Sequence, residues 1–431
     1  MSDSNPTQIH AKGEAMGFIP APGVTALVLN PDALAGYGAP AGCVLTSPTH
    51  VYPGPVGVDI KCSMSFLQLD LPADQVADKT VRRALIEAIL ERTPTGPGRG
   101  QRSARKARKV GESLGVKVAT DGESPEVLPA LGIPLEWARR CEDAVHLGHS
   151  AAALKVGQAS RLPGERASAS DREPLPASLA EAGETPALLF GRADLQERLD
   201  FLLKSGRFAN FAEKISHLGS YGGGNHFGEC EIVRLKDNDR ARRTAEVFGL
   251  RDGFVGFLSH CGWRGFGHAL ASGRTRALQQ KFAMWDIPLP GGEKELVHAP
   301  LGAPEADAYL DDMALGVNFA TVNHLLINAL VLEAFHEIIP DVKGSLVYFI
   351  SHNIARKELL PDGRGGFRRR RACAVRRDLL LSGFRGEGEA GDHRSRSTSG
   401  ALVAWTAIMR ASARQEHLRQ KSATPLGRAC Q

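Results

Sequence analysis

An aspartate and a cysteine three residues apart form the first pair of candidate metal ligands in this sequence. Asp59 and Cys62 follow a strand-like apolar run, and side chains at this spacing converge on one point at a strand end or a turn. A carboxylate is a hard ligand and a thiolate is a soft one, so together they suit Mn, Fe or Zn. A lone cysteine after a strand usually packs in a core, so the pair indicates a metal site only with further ligands.

Three histidines supply those further ligands. Three consecutive glycines lead directly into Asn225 and His226, and glycine lets the backbone approach a ligand closely. His260 and His352 each follow an apolar run typical of a β-strand. One such histidine is more often structural, but the repeated arrangement beside an Asp-x-x-Cys pair predicts a buried divalent-metal site in an enzyme. The predicted ligands are Asp59, Cys62, His226, His260 and His352.

The segment after His260 also offers a group that could bind phosphate. Arg264 lies there in a glycine-spaced loop, and a guanidinium can form two parallel hydrogen bonds to a phosphate. His268 follows in the same segment, where a structural role is the more common one. The sequence therefore predicts a phosphate contact at Arg264.

The elements that must position these residues are a mixture of strands and helices. Apolar or β-branched runs broken by glycine and proline predict strands at Val44–Leu45, Val56–Ile60 and Phe66–Leu69. Apolar residues spaced three and four apart predict helices at Lys79–Arg92, Pro134–Val145, Asp194–Lys204 and Ala306–His336. Lys155–Gly191 is rich in Ser, Ala, Pro, Arg and Glu and has no period, which predicts a flexible insertion within a domain.

The composition is typical of a globular protein with reduced cysteines. The 431 residues are 42% hydrophobic, and no apolar run is expected to cross a membrane. The polar segment Met1–Lys12 lacks the features of a secretory signal, so the cytoplasm is the expected compartment. Seven cysteines at irregular spacing argue against a disulfide framework and favour reduced thiols.

Positive charge is concentrated in the C-terminal segment of the sequence. Residues 361–431 contain 14 Arg and 1 Lys against 6 acidic residues, a balance of +9, so the remainder contributes about −4 to the net charge of +5. Basicity of the whole chain is therefore weak support for nucleic-acid binding by the core. Four consecutive arginines, Arg368–Arg371, lie in a stretch that is hard to fold into a core, and a basic RNA-binding arm is one interpretation of it.

The ligand clusters resemble those of the RtcB family, the GTP- and manganese-dependent RNA-splicing ligases. The family's Asp-x-x-Cys, Gly-Gly-Gly-Asn-His-Phe-x-Glu, His-Ser-Gly-Ser-Arg-Gly and His-Asn elements have counterparts here in the same order. The likeness covers about Pro20 to Glu358 without the insertion, and the second element is close to diagnostic.

This resemblance implies an α+β fold of packed β-sheets surrounded by helices, with a metal site for two Mn²⁺ ions at the strand ends. By the same likeness, Cys62 bridges both ions, and His260 and His352 complete one of the two sites. Asp59 and His226 complete the other site. The expected protein is therefore a metalloenzyme whose chemistry depends on the bound ions.

The resemblance also implies a nucleotide and an RNA substrate. Asn225, Glu229 and Asn353 are expected to contact the phosphates of GTP or to order the site. The expected activity is ligation of an RNA 3′-phosphate or 2′,3′-cyclic phosphate end to a 5′-hydroxyl end. The enzyme is expected to be a monomer that has no contact with a membrane.

The sequence departs from the family pattern in two places. Cys261 and Trp263 replace serines of the third element, so the phosphate contacts of that loop are expected to be altered. The sequence after Glu358 lacks two elements of the family. One is Arg-Lys-Gly-Ala, and the other is His-Gly-Ala-Gly-Arg, whose histidine accepts GMP in the family. Arginine runs without periodicity are what a GC-rich gene yields when read out of frame. The hypothesis is a divergent or frameshifted tail after about Gly366.

The predicted organisation is a catalytic domain at residues 1–366, with the insertion at about 155–191, and a poorly ordered arginine-rich tail at 367–431. A chain without the GMP-accepting histidine is expected to be impaired as a ligase. Two alternatives stay open, a metal-dependent phosphohydrolase acting on cyclic-phosphate RNA ends and a non-catalytic protein that binds RNA ends. Three assays distinguish these functions. Transfer of labelled GMP from GTP indicates the ligase, and opening of a cyclic phosphate without GTP indicates the phosphohydrolase. Salt-sensitive RNA binding without turnover indicates the binding protein.

Overall fold

The computed structural model of the protein describes residues 21–34, 38–95, 110–141, 195–206, 210–223, 225–262, 264–361 and 367–377. Two antiparallel four-stranded sheets and one two-stranded ribbon pack with a long buried helix and shorter helices. This combination of helices and antiparallel sheets confirms the predicted α+β class. The predicted insertion at about 155–191 lies outside the described residues.

One sheet has the strand order β1-β2-β10-β9. Its strands are β1 (Ala26–Leu34), β2 (Ala41–Ser47), β9 (Ile354–Pro361) and β10 (Phe367–Arg377). Strand β10 pairs with both neighbours, because Val375 lies opposite Leu45 on one side and Ala355 on the other. The sheet therefore continues across residue 366, where the sequence predicts the boundary of the tail, and residues 378–431 lie outside the described residues.

The other sheet has the order β5-β6-β4-β8 and carries the candidate ligands. Its strands are β4 (Ser63–Pro72), β5 (Phe227–Ile232), β6 (Phe254–Cys261) and β8 (Gly344–Ser351). The first residue of β4, Ser63, lies opposite Cys261 of β6 and Ser351 of β8. This register aligns the start of β4 with the ends of both neighbouring strands, so residues beside these positions meet at one edge of the sheet.

The remaining elements are a ribbon and a set of helices. The ribbon pairs β3 (His50–Val51) with β7 (Ala299–Pro300). The short helices are α1 (Pro53–Val56), α4 (Val127–Ala130) and α6 (Phe211–Ile215). The longer ones are α2 (Lys79–Arg92), α3 (Glu112–Asp121), α5 (Leu195–Lys204), α7 (Asp239–Phe248), α8 (Arg264–Met284) and α9 (Pro304–Ile338). Short 3₁₀ segments lie at Ala73–Val76, Leu135–Arg140, Pro290–Gly292 and Lys294–Leu296.

Helix α9 forms the centre of the core. It begins with Pro304, whose ring favours the first helical position, and Glu305 and Asp307 complement the positive end of the helix dipole. It packs against α2, α3, α5 and α8. Its length and apolarity would suffice to cross a membrane, contrary to the expectation from the sequence, but 94% of its most apolar window is buried inside the protein. In this fold α9 is therefore a core helix.

Local signals explain where the other helices begin and end. The carboxylate of Asp78 accepts hydrogen bonds from the amides of Thr80 and Val81, which caps the N-terminus of α2. The side chain of Asn238 caps α7 in the same way, and Gly249 ends that helix with φ 67°. The predicted helix Lys79–Arg92 is confirmed at both ends, and the predicted Asp194–Lys204 and Ala306–His336 correspond to α5 and α9.

Two predictions of secondary structure are wrong. Val56–Ile60 is not a strand, because Pro53–Val56 forms helix α1 and a turn follows it. Prolines 53 and 55 cannot donate hydrogen bonds to a sheet, and proline suits the first turn of a helix. Within the predicted helix Pro134–Val145, the described part is a 3₁₀ segment, Leu135–Arg140, that ends at the extended Cys141.

Candidate metal centre

A tight turn brings the side chains of Asp59 and Cys62 together. The Cys62 amide donates to the carbonyl oxygen of Asp59 at 3.1 Å, which closes a four-residue turn. Lys61 lies in its third position with φ 61°, in the left-handed region that side chains rarely adopt. The Lys61 amide donates to the carbonyl oxygen of Asn353 at 2.8 Å, and this bond attaches the turn to the segment after β8.

The aligned strand ends deliver the other ligands to this turn. His260 is the penultimate residue of β6, and His352 directly follows β8. The His352 amide donates to the carbonyl oxygen of Cys62 at 2.9 Å. His226 directly precedes β5, whose first residue, Phe227, lies opposite His260. The register of the sheet thus places three histidines and the turn at one edge.

The ligand atoms form two overlapping groups that share one thiol. The first consists of Cys62, His260 and His352, the second of Asp59, Cys62 and His226, and within each group all ligand atoms lie within 4.8 Å of one another. The Cys62 Sγ lies 3.0 Å from His260 Nε2 and 3.4 Å from His226 Nε2. The five predicted ligands are therefore brought together, with Cys62 between the two groups.

The hydrogen bonds of two histidines determine which nitrogen faces the site. His226 Nδ1 lies 2.8 Å from the carbonyl oxygen of Tyr221, and His260 Nδ1 lies 3.0 Å from that of Asn225. A carbonyl oxygen only accepts, so each Nδ1 donates its proton there, and Nε2 is the nitrogen that each ring directs at the site. The Nε2 lone pair of His260 is therefore directed at Cys62 Sγ and at His352 Nε2, which is 3.1 Å away.

Burial keeps these rings neutral. Burial, together with the neighbouring His226 ring, lowers the pKa of His260 to about 4. Burial and the nearby His260 ring lower the pKa of His352 well below the ordinary value. A neutral imidazole is the form that binds a metal ion, so both rings are ready to do so at neutral pH.

This donor set fits divalent cations. Metal–nitrogen bonds of about 2.1 Å and metal–sulfur bonds of about 2.3 Å put tetrahedral ligand atoms roughly 3.4–3.6 Å apart. The distances of 3.0, 3.1 and 3.4 Å around Cys62 Sγ and His260 Nε2 need only small shifts to reach that spacing. The second group has His226 Nε2 at 2.7 Å from Asp59 Oδ2. The buried Oδ1 of Asp59 has no hydrogen-bond partner, so it too can face a cation.

The segment after β6 approaches the turn closely. A Cβ atom at Gly262 would lie 2.6 Å from Asp59 Oδ1 and 3.0 Å from Cys62 Cα, so only glycine fits there without a shift. Helix α8 begins two residues later, so its N-terminus, the positive end of its dipole, lies near the turn that carries Asp59 and Cys62. An anion beside the bound metals would be stabilised by that helix end.

A buried hydrogen-bond chain connects the start of β4 to α9. His324 is fully buried, and its Nδ1 and Nε2 lie 2.8 Å from Ser63 Oγ and 3.0 Å from Ser65 Oγ. Ser63 Oγ donates to the carbonyl oxygen of Cys261 at 3.0 Å, so His324 Nδ1 must donate to Ser63. Burial lowers the pKa of His324 well below its ordinary value. Ser65 Oγ also contacts Asn328, whose Nδ2 donates to it at 2.9 Å. This chain fixes β4 against β6 beside Cys62 and His260.

Sequence reasoning missed His324, Ser63 and Lys61. Lys61 is fully buried, its Nζ donates to Ser351 Oγ, and it lies 5.0 Å from the centre of the Phe349 ring. A lysine inside an apolar segment beside Asp59 was the available signal for it. No local pattern pointed to His324, because its serine partners lie more than 250 positions away along the chain.

The predicted nucleotide contacts have different surroundings. Asn225 is exposed and its carbonyl oxygen holds the His260 ring, while Glu229 is half-buried on β5. Asn353 is buried, and its Nδ2 donates to the carbonyl oxygen of Asp59 at 3.2 Å, so this side chain orders the turn. Arg264 begins α8, but its side chain lies outside the described residues.

Cys261 is beside the site without being a ligand in this arrangement. Its Sγ donates to the carbonyl oxygen of Gly262 at 3.3 Å, and burial raises the pKa of the thiol well above its ordinary value. A protonated thiol is a poor metal ligand. No disulfide joins the cysteines whose side chains the structure describes, in keeping with the predicted reduced thiols: Cys43, Cys62, Cys141, Cys230 and Cys261.

Comparison with known proteins identifies the family. The family model described as tRNA-splicing ligase RtcB matches residues 16–155 and 194–390, which is more than half of the chain. The interval left unmatched overlaps the predicted insertion, and the match extends past residue 366.

Curated relatives carry the same name. The tRNA-splicing ligase RtcB of Pyrobaculum aerophilum is 28% identical over 350 residues, which is 79% of this chain and 59% of the relative. That of Thermococcus kodakarensis is 26% identical over 77% of this chain and 57% of the relative. The RNA-splicing ligase RtcB of Mycobacterium bovis is 27% identical over 78% of this chain and 64% of the relative. This chain spans about three fifths of the length of these relatives, and it belongs to the RtcB family.

Proposed function

We propose that this chain is an RNA ligase that uses GTP and two Mn²⁺ ions to join a 3′-phosphate or 2′,3′-cyclic phosphate end to a 5′-hydroxyl end. The observation that carries the proposal is the set of acceptor groups that converge on Cys62. The Nε2 lone pairs of His226 and His260 face its sulfur, and their Nδ1 protons are held by backbone carbonyls. Ligase activity on RNA is the activity for which the relatives are named.

The charge balance of the centre suits a phosphate substrate. Two divalent cations bring four positive charges, whereas the Asp59 carboxylate and the Cys62 thiolate bring two negative ones. The remaining positive charge favours anionic ligands at this edge of the sheet, and the N-terminus of α8 adds to it. When bound, such a pair of ions neutralises phosphate charge and polarises phosphorus–oxygen bonds.

Protein groups then have three roles in the proposed reaction. The backbone carbonyls of Tyr221 and Asn225 hold the histidine rings so that Nε2 would face the bound ions. Asn353 holds the turn that carries Asp59. Arg264, at the start of α8, is assigned to substrate phosphate, and Asn225 and Glu229 are assigned to the phosphates of GTP.

Manganese is proposed over zinc on the strength of the family resemblance. Imidazole, carboxylate and thiolate ligands accept either metal, so the ligand set does not choose between them. Measuring the metal content of protein purified without added metal, and of protein reloaded with Mn²⁺ or Zn²⁺, identifies the ion that supports activity.

The step that tests the ligase proposal most directly is transfer of GMP from labelled GTP to the protein. The sequence has no His-Gly-Ala-Gly-Arg element, and its histidines after Glu358 are His393 and His417. Covalent labelling of the chain in the presence of Mn²⁺, followed by joining of RNA ends, would support the ligase proposal, and weak labelling is expected because the family's GMP-accepting element is absent. Metal binding without labelling would reject the ligase proposal. Opening of a cyclic phosphate without GTP would then indicate a phosphohydrolase, and salt-sensitive RNA binding without turnover would indicate a binding protein.

A further inference from the structure

A buried asparagine of α9 contacts both backbone segments that hold the histidine rings. Asn323 is 0% exposed and lies in the middle of the helix. Its Oδ1 accepts a hydrogen bond from the Gly219 amide at 2.8 Å, and its Nδ2 donates to the carbonyl oxygen of Gly262 at 3.3 Å. We propose that Asn323 is a positioning residue that holds the glycine loop, residues 219–223 and 225–226, against the end of β6 in the arrangement that binds metal.

The contacts of the amide lie one residue from the groups that orient the ligands. Asn323 Nδ2 also lies 3.3 Å from the carbonyl oxygen of Ser220, which precedes Tyr221, the residue that accepts the Nδ1 proton of His226. The same Nδ2 lies 3.4 Å from the Sγ of Cys261, which directly follows the ligand His260. One primary amide therefore sets the separation between the two backbone segments next to the ligands.

The helix that carries Asn323 is a rigid support for this role. Side chains from residues on either side of Asn323, such as Val322 and Leu325, are fully buried in the core. The next residue, His324, holds Ser63 and Ser65 of β4. Without Asn323, the carbonyls of Ser220 and Gly262 lose a shared donor, and buried polar groups must find partners. The glycine loop is then held to β6 by fewer contacts, such as those of Tyr221 with Ser259 and of Asn225 with His260.

The same helix provides a matched control. Asn318 is also 0% exposed, and its Nδ2 donates to the carbonyl oxygens of Ala119 and Thr120 at 2.9 and 3.1 Å, at the end of α3. Asn318→Ala thus removes the same chemical group, from the same helix and at the same burial, but in contacts that join α9 to α3. A general loss of stability is expected from both variants, and a loss of metal affinity only from Asn323→Ala.

The inference rests on the proposed metal centre, and titration of the full-length chain with Mn²⁺ tests both. Residues that orient metal ligands typically change metal affinity about 10–100-fold when they are replaced. We expect a loss of that size in Asn323→Ala, and a change of no more than about twofold in Asn318→Ala. The Co²⁺-loaded protein is expected to show altered thiolate-to-cobalt absorption in Asn323→Ala alone, since the Cys62 geometry changes.

The outcomes separate the inference from the proposed function. If the unmodified chain binds neither Mn²⁺ nor Co²⁺, the proposed metal centre is wrong. If it binds them and Asn323→Ala matches Asn318→Ala in affinity and in absorption, the metal centre stands and the positioning role of Asn323 is wrong.

A variant that fails to fold does not end the test. Asn323→Ser keeps a hydroxyl at this position but is too short to contact both segments, so it is expected to fold and to bind Mn²⁺ more weakly.

Hydrogen exchange on the unmodified chain is the last readout. Coupling is reciprocal, so Mn²⁺ is expected to slow exchange of the Gly219 amide, which is bonded to Asn323, at least tenfold as an order of magnitude. An unchanged Gly219 exchange rate in the metal-loaded chain would overturn the inference.

Discussion

At the scale of single residues, the centre depends on where two protons lie. The carbonyls of Tyr221 and Asn225 hold the Nδ1 protons of His226 and His260, so the lone pairs face Cys62. Metal binding also requires a neutral ring, and burial provides it at His260 because it lowers the pKa of that ring to about 4. Because the buried His260 ring is neutral at neutral pH, it can bind a metal cation without first losing a proton.

Replacing single ligands is expected to remove metal ions in steps. Cys62 belongs to both ligand groups, whereas His352 belongs to one. Cys62→Ala should therefore abolish binding of both ions, and His352→Ala should leave the ion held by Asp59, Cys62 and His226. Equilibrium dialysis with metal analysis measures the stoichiometry. The control is Cys141→Ala, which removes another buried thiol and should leave metal binding unchanged. If Cys62→Ala and His352→Ala lost the same number of bound ions, the two-group arrangement would be contradicted.

A second residue-scale prediction concerns Asp311, away from the metal centre. Burial raises the pKa of this carboxyl to about 6, against the lowering effect of Arg198, and Asp312 and Asp307 add to the rise. A carboxyl with a raised folded pKa leaves stability unaffected below its unfolded pKa, near 3.9, and costs stability as pH rises through 6. Asp311→Asn is therefore expected to raise the urea midpoint at pH 7.5 and to change it little at pH 3.5.

The control for this prediction lies on the same helix. Asp307 is exposed in the first turn of α9, where a carboxylate stabilises the helix end. Asp307→Asn removes the same charge and should give no gain at pH 7.5. A gain of similar size in both variants would show that net charge, rather than burial of Asp311, causes the effect.

At the scale of elements, the strand register places the site. Ser63 lies opposite Cys261 and Ser351, so the residues beside these positions, Cys62, His260 and His352, meet. The sequence predicted that strands deliver His260 and His352, which is what β6 and β8 do. It assigned a strand before Asp59 as well, where the prolines favour a short helix and a turn instead. Local patterns cannot indicate register, because register depends on pairing between distant segments.

Helix α8 provides a prediction at this scale through its glycines. Gly273 is exposed within the helix, and an added Cβ would meet no atom within 4 Å. Gly273→Ala should therefore stabilise the protein by roughly 0.5–1 kcal/mol, because glycine is a poor helix former. Chemical denaturation measures this gain.

Gly267 in the same helix should behave differently. Its Cβ would lie 3.2 Å from Cβ and N of Ile60, inside the turn that carries the ligands Asp59 and Cys62. Gly267→Ala is expected to gain no stability and to weaken Mn²⁺ binding, since the turn must shift. If Gly267→Ala and Gly273→Ala stabilised the protein equally and left metal affinity unchanged, the turn would be able to shift without any loss of stability or metal binding.

At the scale of the whole molecule, the centre joins parts of the chain that are far apart. Its ligands extend from Asp59 to His352, and both four-stranded sheets share a core with α9. A cation bound only by the folded state stabilises it by about 2.7 kcal/mol at a hundred times its dissociation constant. The metal centre is thus expected to contribute to global stability.

Adding metal tests this expectation. Mn²⁺ should raise the urea midpoint of the full chain, and a chelator should reverse the rise. Mg²⁺ prefers oxygen ligands and should raise the midpoint less, because three histidines and a thiol dominate the site. Cys62→Ala is the control, in which Mn²⁺ should have little effect. An equal shift in this variant would place the stabilising metal elsewhere.

The sequence by itself determined the ligand types and the longest helices, whereas the α+β class was implied by the likeness to the RtcB family. These properties are local, because a carboxylate, a thiol, an imidazole and an apolar period can each be identified within a short window. The likeness of the ordered clusters to the RtcB family was also present in the sequence, and the family match bears it out.

Only the tertiary structure decided how these residues act together. It selected Nε2 as the metal-facing nitrogen of His226 and His260 and placed Cys62 between two ligand groups. It also brought Asn323 into contact with both the glycine loop and the segment after β6. Most of these facts are contacts between segments about 35 to 290 residues apart. The one local contact, between His226 and Tyr221, lies within the glycine loop, whose backbone conformation is set by such distant contacts. The physical reason is that hydrogen bonds and lone-pair directions depend on positions in space, which a one-dimensional pattern does not contain.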